Sequence, residues 1–170
     1  METITQERIS EAARRLAQDN ATLKELKGVT NDELEAVYSL GFGYYRTGKF
    51  AEAAKLFQFL VLFDHLNAKY WFALGAVQQA TKDWKNAIAS YSYSSFLDLT
   101  NPKPQYHAAE CFLASGDKVN AASALCALDE YCPTDTETGR EYRSKAAELR
   151  KAIGEDAFKE LEAKDAKEAK

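Results

Sequence analysis

Ile9, Ala12, Ala13 and Leu16 fall on one face at helical spacing, and the pattern predicts a helix over residues 5–18. A shorter segment, Thr22–Leu26, stops at Gly28, and Thr30-Asn31-Asp32-Glu33 has the form of a capping box opening the next helix. That helix is expected over about Glu33–Arg46, closing at Thr47-Gly48 where glycine can take the left-handed conformation. A second follows over about Phe50–Asp64. Near the other end, Thr134–Glu137 offers another capping box, and Tyr142, Ala146, Leu149 and Ile153 form an apolar stripe. Beyond Gly154 the tail, ending KELEAKDAKEAK, is polar and is expected to be frayed helix or disorder.

The pattern repeats. Sliding the chain by 34 residues lays Leu40 on Leu74, Gly41 on Gly75, Thr47 on Thr81, Ala53 on Ala87, Asp64 on Asp98 and Asn67 on Asn101. Aromatics coincide too: Tyr38 with Phe72, Phe50 with Trp84, Phe57 with Tyr91 and Phe59 with Tyr93. A weaker unit follows, with Ala109 in the place of Gly75, Ala121 in that of Ala87 and Leu125 in that of Tyr91. Small residues (Gly41, Ala53, Gly75, Ala87) recur where paired helices approach, and bulky ones (Leu40, Phe57, Leu74, Tyr91) fill the gap between them. The expected fold is all-α: a tetratricopeptide-repeat superhelix of three helix-turn-helix repeats with flanking helices. The expected divisions are an N-terminal segment over 1–30 and repeats over 31–135, at about 34–67, 68–101 and 102–135. A capping helix follows over 136–155, then a polar tail over 156–170.

In such a stack the first helix of each repeat lines a concave face. The face turned away from packing carries Tyr38, Phe42, Tyr45 and Arg46, then Lys69, Phe72, Ala76 and Gln79, then Lys103, Tyr106, Glu110 and Leu113. Rings beside small residues make pockets for apolar side chains, while Gln79, Lys69 and Arg46 suit a peptide backbone or carboxylate.

Composition narrows the chemistry. The 170 residues, 46% hydrophobic with eight glycines and three prolines, suit one helical domain with its own core. No apolar run approaches the ~18 residues of a membrane helix, and the charged start METITQERISEAARRLAQDN lacks the apolar segment of a secretory signal. Cys111, Cys126 and Cys132 are odd in number and form no C-x-x-C, which suits a reducing compartment better than a disulfide scaffold or zinc site. A net charge of −4 provides no field drawing the chain to nucleic acid or anionic lipid. His107 and Cys111 share a helical face, but no further Cys/His cluster completes a metal site. On these grounds the histidines and cysteines are given packing roles. No nucleotide-binding, nucleophile-elbow or zinc-protease motif is present, so no catalytic residue, metal or cofactor is expected.

The stretch VYSLGFGYYRTGKFAEAAKLFQFLVLFDHLNAKYWFALGAVQQATKDWKNAIASYSYSSFLDLTNPKPQYHAAECFLASGD resembles the class II chaperones of bacterial type III secretion. LFDH, AIASYSYSSFLD and YHAAECFL are more specific to them than the general repeat pattern. The likeness covers about residues 20–130. It implies a non-enzymatic, ATP-independent protein of the bacterial cytoplasm that binds the extended N-terminal segment of a hydrophobic translocator in its groove. The family's groove aromatics fall on Tyr38, Phe42, Tyr45, Phe72 and Tyr106, and its polar groove histidine on His65. Many members dimerise through N-terminal helices, which would place homodimer contacts at Ile9, Ala13 and Leu16. Where the family often has a glycine, this chain has Thr81-Lys82-Asp83, leaving that turn's geometry open. The alternatives are a tetratricopeptide adaptor gripping a partner's C-terminal carboxylate, for which only Lys69, Lys103 and Arg46 qualify, and a regulator that sequesters another protein.

Overall fold

The structure is a computed structural model, which describes residues 11, 14, 15 and 21–168. Its described elements are all helical: α1 (Leu23–Lys27), α2 (Asn31–Arg46), α3 (Phe50–Phe63), α4 (Ala68–Ala80), α5 (Trp84–Leu97), α6 (Pro102–Ala114), α7 (Lys118–Tyr131), α8 (Glu137–Ile153) and α9 (Glu155–Glu168). Helices α2–α7 form three antiparallel pairs, each packed on the next. The dimer contacts expected at Ile9, Ala13 and Leu16 lie outside the described residues.

Caps fix the boundaries. Thr22 with Glu25 and Thr30 with Glu33 form reciprocal capping boxes, and Asn67 and Asn101 accept from the amides of Lys69 and Lys103. Asp83 and Asp117 do the same at the second helix of their repeats, accepting from Asn86 and Asn120. The turn within each repeat is built identically. Lys49 N donates to Tyr44 O at 2.9 Å, Asp83 N to Gln78 O at 2.8 Å and Asp117 N to Phe112 O at 2.9 Å. This turn needs a left-handed residue, supplied by Gly48 (φ 74°) and Gly116 (φ 88°). Between them, Lys82 takes the same conformation at φ 61°. The departure from glycine leaves the turn's geometry unchanged and places the strain on a lysine.

Close helix approach explains the recurrent small residues. A Cβ on Gly41 would lie 2.8 Å from the Phe57 ring, and one on Gly75 would lie 2.8 Å from the Tyr91 ring. In the third pair a fully buried Ala109 faces a smaller neighbour, fully buried Leu125. Leu40 departs from expectation: it is 52% exposed rather than filling the gap between helices, whereas Leu74 is buried. The reason is positional. α4 is covered by α3 of the preceding repeat and α6 by α5, but among the described elements only α1 precedes α2, and α1 packs on α3.

The C-terminal part also differs from the sequence reading. The cap of α8 is Thr136, not Thr134. Tyr142, Ala146 and Ile153 of α8 are buried, and Leu149 packs beside them. Past Gly154 (φ 89°) the tail takes the helical of the two expected forms, as α9, because Ala157, Phe158 and Leu161 have apolar surface on the third repeat to cover. Arg150 pairs with Asp129, and Arg143 donates to the carbonyls of Asp129 and Cys132, tying α8 to α7.

Candidate functional site: an aromatic concave cavity

The inner face of α2, α4 and α6 opens into a cavity of about 460 Å³. Its walls are Tyr38, Phe42 and Tyr45 from α2, Phe72, Ala73, Ala76, Gln79 and Ala80 from α4, and His107 from α6. Phe57 and Tyr91 reach it from the second helices, α3 and α5. Tyr38, Phe42 and Tyr45 recur at helical spacing, so their rings run as a file: Tyr38 to Phe42 at 6.4 Å and Phe42 to Tyr45 at 6.5 Å. Facing them, Phe72 lies 5.5 Å from Tyr91 and 5.7 Å from His107. At one edge Lys69 Nζ sits 3.8 Å over the Tyr38 ring while pairing with Glu35 at 2.8 Å.

A polar relay crosses the floor. The Tyr91 hydroxyl donates to Gln79 Oε1 at 2.7 Å, and Gln79 Nε2 donates to Glu110 Oε2 at 3.1 Å. His107 Nδ1 meets the same Glu110 oxygen at 2.8 Å. Burial works against the Glu110 carboxylate, but hydrogen bonds from His107, Gln79 and Tyr106 outweigh it and hold the group below its ordinary range. Burial drives the Tyr91 phenol far above its ordinary value, so it remains a donor at any physiological pH. Cys111, one turn beyond His107, is fully buried, and burial pushes its thiol up to about 12, leaving it inert. Among the described residues no group of three or more His, Cys, Asp or Glu side chains is placed to hold a metal ion.

Six sequence-assigned groove residues therefore meet at one cavity: Tyr38, Phe42, Tyr45, Phe72, Ala76 and Gln79. Tyr106 stands beside it, its ring 5.4 Å from His107 and 5.4 Å from Tyr142. Arg46 is exposed at the end of α2 and does not line the cavity. Lys69 holds the rim through Tyr38 and Glu35. His65 lies in the α3–α4 turn, where its carbonyl accepts the Trp71 indole N–H at 2.8 Å. The histidine that lines the cavity is instead His107, to which the sequence reading gave a packing role. By sequence pattern Phe57 and Tyr91 are packing residues only. Each passes over a glycine and emerges on the inner face, and the paired signals Gly41/Phe57 and Gly75/Tyr91 mark where that happens.

A stack of helix pairs with an open aromatic groove defines a tetratricopeptide peptide-binding protein. Residues 34–67 and 68–101 each match the family model described as tetratricopeptide repeat. The chain is similar to the Low calcium response locus protein H of Yersinia pestis, with 36% identity over 132 residues, 78% of each chain. It also resembles the Yersinia enterocolitica type III secretion translocator chaperone SycD, solved with a peptide of the translocator YopD. That match has 35% identity, covers 74% of this chain and 95% of SycD, and has a TM-score of 0.68. SycD has also been solved as an alternative dimer. PcrH of Pseudomonas aeruginosa, solved with the chaperone binding region of PopB, matches at 34% identity over 72% of this chain and 98% of that one, with a TM-score of 0.64. The chain belongs to this family, the tetratricopeptide translocator chaperones of bacterial type III secretion.

Proposed function

We propose that the protein binds an extended N-terminal segment of a hydrophobic, pore-forming translocator in the concave cavity. In the bacterial cytoplasm this keeps the translocator soluble and competent for secretion. The observation that carries the reading is the cavity itself: ring-lined, floored by a satisfied polar relay, and bordered by helices that leave its apolar walls uncovered. Apolar anchors from an extended segment would be desolvated between the α2 rings and Phe72, while the floor's polar groups orient the peptide backbone. Ordering a flexible ligand offsets much of that contact energy, which suits a complex that must later release its cargo. Among the described residues no Lys or Arg lines the cavity, which weighs against the carboxylate-gripping adaptor.

Co-expression with a translocator should yield a soluble complex. A labelled peptide from its N-terminal segment should bind at least about tenfold more weakly to Tyr45→Ala/Phe72→Ala than to the parent protein. Unchanged affinity in a variant of unchanged circular dichroism defeats the reading. We also propose a homodimer formed through the N-terminal segment at Ile9, Ala13 and Leu16. Deleting residues 1–20 should halve the mass in solution, and an unchanged mass removes that role.

A further inference from the structure

A shift of 34 residues lays His107 and Glu110 on Ala73 and Ala76, two small residues that line the same cavity. The second repeat thus meets its packing with methyl groups where the third carries an ionisable pair. The imidazole is held between rings. It stacks on Tyr91 at 5.6 Å with 26° between planes, lies 5.7 Å from Phe72 and meets Tyr106 edge-on at 5.4 Å. Nδ1 is engaged by Glu110 Oε2 at 2.8 Å.

The bond to Glu110 decides which ring nitrogen carries the hydrogen. Glu110 is held below the ordinary carboxylate range, so at neutral pH it is ionised and only accepts. Nδ1 must donate, and in the neutral imidazole Nε2 is left with a lone pair. Among the described residues nothing pairs with Nε2. Nor is it sealed off: the buried side-chain atoms that lack a partner are Gln105 Oε1 and Arg143 Nε, both outside this cavity. The His107 side chain keeps 27% of its surface and lines the cavity. Nε2 is therefore an accessible acceptor, of fixed polarity, set among rings.

We propose that His107 Nε2 accepts a hydrogen bond from a backbone N–H of the bound segment, beside the apolar anchor seated against Phe72. Glu110 is the positioning residue that fixes this polarity. The inference rests on the translocator reading and names what that site demands of its cargo. Apolar pockets alone tolerate a chain that slides, because any aliphatic group of similar size satisfies them. An acceptor desolvated by the cargo must be paired, so it sets the register. Proline, which has no N–H, is refused at that one position.

The test measures the labelled translocator peptide and a set of its amide-to-ester analogues, each lacking a single N–H with little change in bulk. Binding is compared between the parent protein and His107→Phe, which keeps a ring against Tyr91 and Phe72 but has no acceptor. One ester position should bind the parent about tenfold more weakly and show no such loss on His107→Phe. His107→Gln, which carries an amide oxygen, should restore part of the discrimination. Nitrogen-15 NMR of the His107 imidazole should place the hydrogen on Nδ1 in the free parent protein at neutral pH, and the Nε2 signal should move when the peptide binds. If every ester is tolerated equally by parent and variant, or if the free protein carries the hydrogen on Nε2, the role of His107 falls while the translocator reading stands. If His107→Phe does not fold, an Nε2 signal unmoved by a bound peptide overturns the assignment. A parent protein that does not bind the unmodified peptide defeats the translocator reading, and this inference with it.

Discussion

The second and third repeats solve one packing problem differently. In the second, a glycine lets α4 and α5 approach so closely that the Tyr91 ring passes over Gly75 and emerges in the cavity. In the third, Ala109 meets Leu125, and the pair stays wholly inside the core. The same helix pair can thus be built as a wall of the binding cavity or as plain structure. What decides is whether the close approach is made for a ring long enough to reach the far side. Packing and recognition are shared by Phe57 and Tyr91 rather than divided between separate residues.

The largest test of that contrast is Gly75→Ala. Its Cβ would strike a confined ring, and overpacking of this kind costs about 1–3 kcal/mol, which the urea midpoint should register. Adding Tyr91→Leu recreates the third repeat's pair in the second. It should recover much of that stability while still weakening peptide binding, because the cavity loses its floor. If the double variant is no more stable than Gly75→Ala alone, the two residues do not act as a matched pair.

Backbone strain sharpens the comparison on a smaller scale. Lys82→Gly removes a left-handed lysine and should stabilise by about 1 kcal/mol, whereas Gly116→Lys at the equivalent turn should lose a similar amount. Thermal melts of the two variants should move in opposite directions.

The smallest effect concerns Glu110. Its carboxyl is held below its ordinary value when folded, so its contribution is present above the unfolded-state value and lost as pH falls through the folded one. Glu110→Gln, which stands in for the protonated carboxyl, should therefore be less stable than the parent at neutral pH and reach its acid-unfolding midpoint at higher pH, by a modest margin because the side chain is 33% exposed. A midpoint unmoved by the substitution would show that the relay does not couple to folding.

The sequence made the repeats legible because their caps and turns recur in register: Asn67 with Asn101, Asp83 with Asp117, Gly48 with Gly116. It located most α2 and α4 cavity residues because a helix has only one face left once packing is assigned. It could not show that Phe57 and Tyr91 cross from one face to the other, since ring reach depends on helix separation. Nor could it choose between the histidines. His65 follows a helix end and His107 lies inside one, and only the packing of α4 against α5 and α6 turns His107 toward Phe72 and Tyr91. The exposure of Leu40 and the helicity of the tail depend on which surface a neighbour leaves open, and a local pattern does not record that.

The closing helix α9 sets a limit on growth. By laying Ala157, Phe158 and Leu161 across the last repeat it stoppers the stack, and another helix pair could join only by displacing it. A longer groove would thus require this covering helix to be lifted off the third repeat, so α9 sets how far the open inner face extends in that direction.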